Sequence, residues 1–421
     1  RDQPRSRGLG DVYKRQASWW SPVMKAVGLC SEPGKGSTDS LSFMSCVLID
    51  IKDGNAHIIS QSMSSALDID VSHHGEVGGQ GRVLLPVKDF THAISSLPHN
   101  GVITVSQEDD NEESVEIDTD DGAVHFSVAQ EDIIDDDMLP QPPVVEDDDV
   151  FTDIDFTQLT HVYKQGSIMS KANIGSEELG FDPLSGSIIN IDDKGVQVLS
   201  LSISSSEAFV PVEKGHKDYI ANCVSSPQAT TARLDTFSSY CPEGKISIAS
   251  TGCIVLSGNG MVMSISPLNT GSIKNTTVTY ENIVDTLSPA WENRIVTATA
   301  PSREFFQALS RAGSVSDEAV KMFIDDTAIT VCGVDSRRED YPFTQEISCS
   351  TQWHGDMSHD ISYSIDYTVM KKVGTFVSKH DEVVFSVAFD ETGTTPWAMV
   401  MYDGNFDVDN PHDFFLIAIT K

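Results

Sequence analysis

The sequence is short of basic residues. It has 28 lysines and arginines against 63 aspartates and glutamates among its 421 residues, which gives a formal net charge of −35 at pH 7. A chain this acidic repels other polyanions over most of its surface, so the bulk charge argues against nucleic acid as a partner. Any basic surface is therefore local, formed by a minority of residues that the fold brings together.

Long apolar runs are missing too. No stretch approaches the roughly 20 residues of a membrane span, and the first residues lack the pattern of a signal peptide. The seven cysteines are an odd number and form no Cys-x-x-Cys pair. They predict reduced, buried thiols in a cytoplasmic protein, with no membrane partner.

Catalytic motifs are also absent. The glycine-rich residues 75–81 lack the Gly-Lys-Ser/Thr ending of a phosphate-binding loop. Two groups contain metal-binding residue types without a helical i, i+4 pair. They are His73-His74-Gly75-Glu76, and His354 with Asp356 and His359. We predict that the protein is not an enzyme and that it has no catalytic residue, metal site or cofactor.

What the sequence does contain is a repeat of short amphipathic helices, spaced by 60 to 78 residues. Between the helices the pattern changes to alternating apolar residues, as in residues 102–105, which is typical of antiparallel strands. The sequence therefore predicts an α+β fold in which a helix and a group of strands recur six times. The six helices contain, as their first apolar residue, Trp20, Val87, Phe156, Leu234, Phe305 and Ile365.

Two changes in composition mark domain boundaries. Acidic residues surround Pro140, Pro142 and Pro143, and residues 269–279 are rich in Ser, Thr and Asn. Such segments are typical of linkers. We predict three domains, each with two helices on antiparallel sheets, at residues 17–150, 151–272 and 273–421.

Residues 1–16 differ from the rest of the chain. They are basic, lack apolar periodicity and resemble a translated sequencing adapter. We predict that this segment is non-native and that the first strand of the first domain is missing. An unpaired sheet edge beside Trp19 and Trp20 would follow.

The few basic residues concentrate on the predicted helices, where they outnumber acidic residues two to one. On a single helix this is the ordinary polar side of an amphipathic helix. Its recurrence on six helices favours one shared basic face. The candidate residues for this face are Lys25, Arg82, Lys88, Lys164, Lys171, Arg233, Arg303, Arg311, Lys371 and Lys372.

Four segments, taken in order, resemble the bacterial DNA polymerase III beta subunit, the ring-shaped sliding clamp. The first is Gly-Arg-Val-Leu-Leu-Pro-Val-Lys-Asp-Phe at residues 81–90, and the second is the acidic segment 135–140, which ends in proline. The third is Ser-Pro-Leu at residues 266–268, followed by Leu-Ser-Pro at residues 287–289. The fourth is residues 367–376 with the terminal Phe-Phe-Leu-Ile-Ala-Ile at residues 414–419.

The resemblance implies a DNA-clamp fold with three repeated domains, in which two chains close head to tail into a ring. Helices would line the hole, and duplex DNA would pass through it without sequence readout. DNA polymerase and the clamp loader would dock through a peptide in an apolar pocket. The pocket positions that correspond in this sequence are Leu184, Leu201, Leu416, Ile417 and Ala418.

The sequence departs from the family in this pocket. The usual Thr-Asp-Gly-His-Arg-Leu run is replaced by Leu-Ser-Ile-Ser-Ser-Ser at residues 201–206, and the usual proline near the end by Ala418. Residues 416–419 are equally consistent with a plain buried strand.

Two other assignments stay open. An acidic multi-domain scaffold that does not bind DNA would scatter the basic residues instead of sharing them on one surface. A clamp of the proliferating cell nuclear antigen type has two domains per chain and closes as a trimer, whereas six helical units favour three domains and a dimer.

Overall fold

The computed structural model describes residues 12–31, 43–72, 77–96, 102–106, 114–119, 122–127, 139–146, 149–170, 186–201, 204–212, 221–268, 280–316, 319–335, 337, 341–355, 360–402, 406–407 and 412–420. The helices within them are α1 (Ala17–Leu29), α2 (Val87–Ser96), α3 (Phe156–Gly166), α4 (Pro227–Tyr240), α5 (Tyr280–Glu292), α6 (Ser302–Val315) and α7 (Tyr367–Val377). None of these helices is long and apolar enough to cross a membrane.

Twenty-five strands accompany the helices in the same residues. The strands of the first half are β1 (Val12–Gln16), β2 (Cys46–Lys52), β3 (Asn55–Ser62), β4 (Ser65–Asp70), β5 (Gly81–Pro86), β6 (Val102–Ser106), β7 (Ser114–Thr119), β8 (Gly122–Ser127), β9 (Thr152–Asp155), β10 (Ser187–Ile191), β11 (Gly195–Leu201) and β12 (Ser205–Pro211). The remaining strands are β13 (Ala221–Ser225), β14 (Glu243–Ile248), β15 (Ile254–Gly258), β16 (Met261–Ile265), β17 (Arg294–Pro301), β18 (Val320–Ile324), β19 (Ala328–Gly333), β20 (Phe343–Ser348), β21 (Ser350–Trp353), β22 (Ile361–Ile365), β23 (Glu382–Phe389), β24 (Pro396–Tyr402) and β25 (Phe414–Thr420).

The chain forms two compact units. Unit 1 comprises Arg1–Thr160, Ile191–Lys194 and Val212–Leu268, and unit 2 comprises His161–Asn190, Gly195–Pro211 and Asn269–Lys421. The division falls within α3. The three-domain division at residues 150 and 272 stays a prediction.

The helices of unit 1 bury the apolar stripes that the sequence predicts. Trp20, Val23, Met24 and Val27 of α1 are all buried, and α1 packs against both α2 and α4. The edge of the Trp20 ring meets Phe90 of α2 with the ring centroids 6.2 Å apart. This confirms the predicted first and second helices.

One antiparallel sheet of unit 1 joins strands from distant parts of the chain. Its order is β5-β2-β3-β4-β16-β15-β14-β9. The pair at its centre, β4 and β16, places Leu67 opposite Met263. This sheet therefore combines strands that the sequence assigns to the first and second domains.

The strand before α1, which was expected to be missing, is formed by Val12–Gln16 and is the edge strand of its sheet. β1 pairs antiparallel with β6, with Val12 opposite Val105 and Gln16 opposite Val102, in a sheet of order β1-β6-β7-β8. Strand pairing uses backbone N–H and C=O groups, which almost any residue supplies, so a basic and aperiodic segment still completes a sheet. The non-native origin of residues 1–16 stays a prediction.

β25 is the central strand of unit 2. Along one side it pairs with β24, with Leu416 opposite Val400. Along the other side its first half pairs with β12 and its end pairs with β22, through Ser205 opposite Leu416 and Ile365 opposite Ile419. The last strand of the chain therefore holds three others in register.

Helices α6 and α7 cross closely because each has a glycine at the crossing. A Cβ on Gly313 of α6 would lie 2.3 Å from the Tyr367 ring of α7, and one on Gly374 of α7 would lie 2.7 Å from the Phe306 ring of α6. Helix α7 begins after the predicted Ile365, which belongs to β22 instead. Its N-cap is Asp366, whose side chain accepts a hydrogen bond of 2.7 Å from the Thr368 amide.

Helix α5 is absent from the predicted set of six. By its resemblance to the clamp family, the sequence around Leu287-Ser288-Pro289 is expected to belong to the joint that leads into the third domain. The structure instead continues the helix past Pro289 to Glu292. The spacing of Ile283, Leu287 and Ala290, all buried, is the signal that could have revealed it.

We expect Gly166→Ala to lower the free energy of unfolding by about 1–3 kcal/mol. A Cβ on Gly166 would lie 2.3 Å from the carbonyl oxygen of Val198 in β11, so backbone has to move. Gly28→Ala is the matched control, since a Cβ there would meet nothing within 4 Å beyond its chain neighbours and the backbone of its own helix. Urea unfolding followed by circular dichroism measures both, and a Gly166→Ala variant as stable as the parent would contradict this packing.

Candidate nucleic-acid interface

Three of the predicted basic residues of unit 1 are exposed. Lys25 lies on the side of α1 opposite its buried stripe, and Lys88 lies in the first turn of α2 between buried Val87 and exposed Asp89. Arg82 is exposed on β5. These three side chains are accessible to an anionic partner.

Arg233 does not belong to an exposed basic face, and that prediction is wrong. It is 6% exposed, and its Nη2 donates to the carbonyl oxygen of Leu29 at 2.8 Å. The same nitrogen donates to the hydroxyls of Ser65 at 2.9 Å and Ser64 at 3.2 Å. The arginine satisfies a carbonyl at the end of α1, where helix carbonyls have no partner within the helix.

Unit 2 brings basic residues from two predicted helices together. We define the α3–α7 basic cluster as His161, Lys164, Lys372, Lys379 and His380. The His161 ring lies 5.9 Å from the Phe376 ring of α7, between centroids. Lys372 Nζ donates to the carbonyl oxygen of Ile168, just after α3, at 3.4 Å.

The pKa of His161 shows the field within this cluster. Partial burial lowers the pKa of His161 first, and the positive charges of Lys379, Lys164 and His380 lower it further. His161 and His380, which are not among the basic residues predicted from the sequence, therefore lie close to Lys164 and Lys379.

The other predicted basic residues of unit 2 are single exposed side chains. Arg303 and Arg311 lie on the outer side of α6, and Lys371 lies on the outer side of α7. Arg311 Nη1 donates to Gln345 Oε1 at 3.2 Å. Lys171 lies outside the described residues.

The predicted pocket residues of β25 do not share one side of the strand. Leu416 packs with Leu199, Val400 and Phe414 in one apolar cluster. Ile417 packs in the other cluster, with Phe415 and Ile419. Because successive side chains of a strand point to opposite faces, a single pocket wall cannot contain both Leu416 and Ile417.

Ala418 lies on the same side of β25 as Leu416 and is half-buried. Its amide donates to the Ser204 hydroxyl at 3.1 Å. Leu184 and the side chain of Leu201 lie outside what the structure describes. The candidate partner surface is therefore reduced to Leu416 and Ala418.

Two buried serines, Ser206 of the serine-rich run 201–206 and Ser200 just before it, have a structural role. The hydroxyls of Ser200 and Ser206 both donate to the Gly166 carbonyl oxygen, at 2.7 and 2.8 Å. The same Ser200 oxygen accepts from the Met169 amide at 3.1 Å. These bonds fix the end of α3 on β11 and β12.

A buried carboxylate ties β12 to the residues just before β25. Glu207 is 0% exposed, and its Oε1 lies 2.9 Å from His412 Nδ1. Its Oε2 accepts from the Asp413 amide at 2.6 Å, and Gln197 Nε2 donates to Oε1 at 2.9 Å. Glu207 is not among the residues predicted from the sequence, because its partner His412 lies 205 residues away.

All seven cysteines are free; five are buried as predicted, whereas Cys253 and Cys349 are only partly buried. Burial raises the pKa of Cys223 to about 12, so this thiol stays protonated at neutral pH. In the part of the chain that the structure describes, no three His, Cys, Asp or Glu residues form a metal-binding group. His354 lies 3.1 Å from the Thr297 hydroxyl, whereas Asp356, His359, His73, His74 and Glu76 are outside that part.

Solved structures with the same fold are DNA polymerase III beta subunits. A putative beta subunit from Eubacterium rectale is 15% identical, with a TM-score of 0.74, over 98% of this chain and 100% of that one. The Thermotoga maritima beta subunit is 12% identical, with a TM-score of 0.73, over 97% and 99%. A Pseudomonas aeruginosa sliding clamp bound to griselimycin is 10% identical, with a TM-score of 0.74, over 98% and 100%.

These likenesses establish the class of fold: the chain has the α+β fold of sliding clamps along nearly its whole length. No family of known proteins matches the sequence itself, and no curated protein matches it.

We expect Arg233→Met to lower the free energy of unfolding by about 1–3 kcal/mol, because it leaves the Leu29 carbonyl and the hydroxyls of Ser64 and Ser65 without their donor. Arg303→Met, at an exposed position of α6, is the control and should change stability little. Thermal unfolding compares the two. Equal midpoints for both variants would show that the buried arginine is dispensable.

Proposed function

We propose that this chain is a sliding clamp, a non-enzymatic processivity factor that encircles duplex DNA without reading its sequence. The observation that carries the proposal is the likeness to beta subunits across 98% of this chain and 100% of the Eubacterium rectale chain. A fold alone does not define a function. The distribution of charge supplies the second argument.

The charge distribution suits a protein that stays on DNA through a few weak phosphate contacts. The chain carries a net charge of −35, yet Lys25, Lys88, Arg303 and Lys371 are exposed on helices. Phosphate contacts position a protein on DNA and carry no sequence information. A few separated cations attract the phosphates, while the acidic remainder discourages binding elsewhere.

The assembly and partners belong to the same proposal. Two chains would close head to tail into a homodimeric ring in the cytoplasm of a bacterium, or of an infected host cell if the source is viral. DNA polymerase and the clamp loader would dock through a peptide on the apolar surface that includes Leu416 and Ala418. The scaffold alternative gains no support from the structural likenesses.

The decisive test is topological. Light scattering after size-exclusion chromatography should give twice the chain mass of 45.8 kDa. With a compatible clamp loader, the protein should stay on nicked circular DNA and run off linear DNA of the same sequence. A monomer without topology-dependent retention would refute the clamp, and a trimer would favour the two-domain type of ring.

The exposed cations should set the salt dependence of DNA binding. Replacing Arg303, Arg311 and Lys371 together by alanine should reduce the slope of log affinity against log salt by up to about 3, since each phosphate contact contributes about 0.9. Fluorescence anisotropy of a short labelled duplex between low and physiological salt measures this slope.

The matched control is Arg337→Ala. Arg337 is an exposed arginine outside the helices, and its Nε lies 3.1 Å from Asp335 Oδ1. Its removal should leave the slope unchanged. An equal effect of Arg337→Ala would show that affinity follows net charge and not the helix surface.

A further inference from the structure

A row of hydrogen-bonded side chains crosses neighbouring strands of unit 2, apart from the basic residues of the helices. His354 Nε2, just after β21, lies 3.1 Å from the Thr297 hydroxyl of β17. The Thr297 hydroxyl lies 2.9 Å from that of Ser386 in β23, and the Ser386 hydroxyl lies 3.4 Å from that of Tyr402 in β24. We call these four residues the hydroxyl chain. It links an imidazole to three hydroxyls on one face of the sheet.

A β-bulge places Arg294 on the same face. Arg294 of β17 lies opposite Ala388 of β23, whereas Val296 lies opposite the adjacent residue, Val387. β17 therefore has one extra residue between the two pairs, which reverses the alternation of its side chains at that point. As a result, Arg294 shares a face with Thr297 and not with the buried Val296.

The Arg294 guanidinium is held so that one of its edges stays available. Its Nη1 donates to the Trp291 carbonyl oxygen near the end of α5 at 2.6 Å, and the group lies 4.3 Å from the centroid of the Trp291 ring. Among the described residues, Nε and Nη2 make no hydrogen bond, and no carboxylate forms an ion pair with this half-buried arginine. These two nitrogens form an edge that binds an oxyanion through two parallel hydrogen bonds.

His354 lies beside Arg294 and is neutral at pH 7. Its amide donates to the carbonyl oxygen of Ile295, the residue after Arg294, at 2.8 Å. Burial lowers the pKa of His354 first, and the positive charge of Arg294 lowers it further from its ordinary value of 6.5. Among the described residues, His354 Nδ1 has no hydrogen-bond partner. This nitrogen is therefore available to a ligand.

The hydroxyl chain can hold His354 in one tautomer. A neutral imidazole has one N–H and one acceptor nitrogen, and the hydrogen bond at one nitrogen decides the state of the other. When Tyr402 donates to Ser386, Ser386 to Thr297, and the Thr297 hydroxyl to Nε2 of the ring, the hydrogen of the ring is on Nδ1. In that state His354 and Arg294 both present N–H groups that have no acceptor among the described residues.

We propose that Arg294 and His354 form a binding site for the phosphate group of a small molecule, in which the Nε–Nη2 edge of Arg294 donates to two phosphate oxygens and His354 Nδ1 donates to a third. Phosphate fits better than a carboxylate, because a carboxylate has only two oxygens and the arginine edge takes both. The hydroxyl chain positions His354 and does not itself touch the ligand. This site is independent of the proposed clamp function, since neither residue belongs to the helices or to β25.

Isothermal titration calorimetry of the full chain with inorganic phosphate, at constant pH and ionic strength, tests the site. The parent chain should bind phosphate saturably. Arg294→Lys should bind at least about tenfold more weakly, because lysine keeps the charge and loses the paired donors. Arg337→Lys, at an exposed arginine that pairs with Asp335, is the matched control and should bind like the parent. No binding by the parent, or equal binding by Arg294→Lys, would overturn the proposal.

Thr297→Val tests the role of the hydroxyl chain. Valine has nearly the shape of threonine and no hydroxyl, so His354 Nε2 loses its partner and the ring is no longer held as the Nδ1–H tautomer. Phosphate affinity should fall at least about threefold. Thr299→Val, two residues further along the same face of β17, is the matched control and should leave it unchanged. Equal affinities of the two variants would contradict the proposed positioning, and this pair decides the matter if Arg294→Lys does not fold.

Adenosine monophosphate and adenosine identify the source of the phosphate. Monophosphate binding as tight as that of inorganic phosphate would show that the phosphate group alone is recognised, and tighter binding would point to a mononucleotide. Either result supports the site. If adenosine binds as tightly as its monophosphate, the base is recognised instead of the phosphate, and the proposal is wrong. None of these titrations contains DNA, so their outcome is separate from the retention test of the clamp.

Discussion

Antiparallel backbone pairing between distant parts of the chain is the constraint on which the rest of the structure depends. In unit 1, β4 pairs with β16, and in unit 2, β12 pairs with β25. These pairs turn repeated helix-and-strand segments into continuous sheets, and they determine which face each strand residue occupies. In β25 the alternation sends Leu416 to one apolar cluster and Ile417 to the other, so the sheet register defines the candidate partner surface.

Buried polar groups hold the helices and loops on these sheets. Arg233 joins α4 to the end of α1 and to the turn before β4, while the Gly166 carbonyl takes two serine hydroxyls from β11 and β12. Glu207 accepts a hydrogen bond from the Asp413 amide and so holds the residues just before β25. Most of their polar atoms have hydrogen-bond partners, because an unpartnered polar atom in the core would cost stability. The exception is Arg233 Nε, which is buried without a partner among the described residues. Arg233, which was predicted to face DNA, is therefore a buried structural residue.

The elements with strong apolar periodicity could be predicted from the sequence, and the exceptions have physical causes. The stripe of Trp20 and Val23 predicted α1, whereas α5 is not among the predicted helices although Ile283, Leu287 and Ala290 have the spacing of a buried helix face. Arg233 has the residue type of a phosphate ligand, and its burial depends on a carbonyl 204 residues away. The sequence of β1 has no apolar periodicity, so its pairing with β6 through backbone groups could not be predicted from that pattern. Apolar periodicity indicates which face of a helix or strand is buried, but it does not indicate which other element covers that face.

The acidity of the chain and its proposed role are compatible because electrostatic screening has a short range. The Debye length at physiological salt is about 8 Å, so a phosphate beside the α3–α7 basic cluster interacts with the cations in contact with it and little with carboxylates further away. Burial lowers the pKa of His161 first, and the positive charges of Lys379, Lys164 and His380 lower it further, as expected for cations that lie close together. A phosphate placed there would relieve this repulsion. At low salt the net charge of −35 acts over a longer distance and opposes the approach of DNA. The local cations attract DNA phosphates, and the net negative charge repels DNA at a distance. Together they favour a protein that has to be loaded around DNA over one that binds DNA spontaneously.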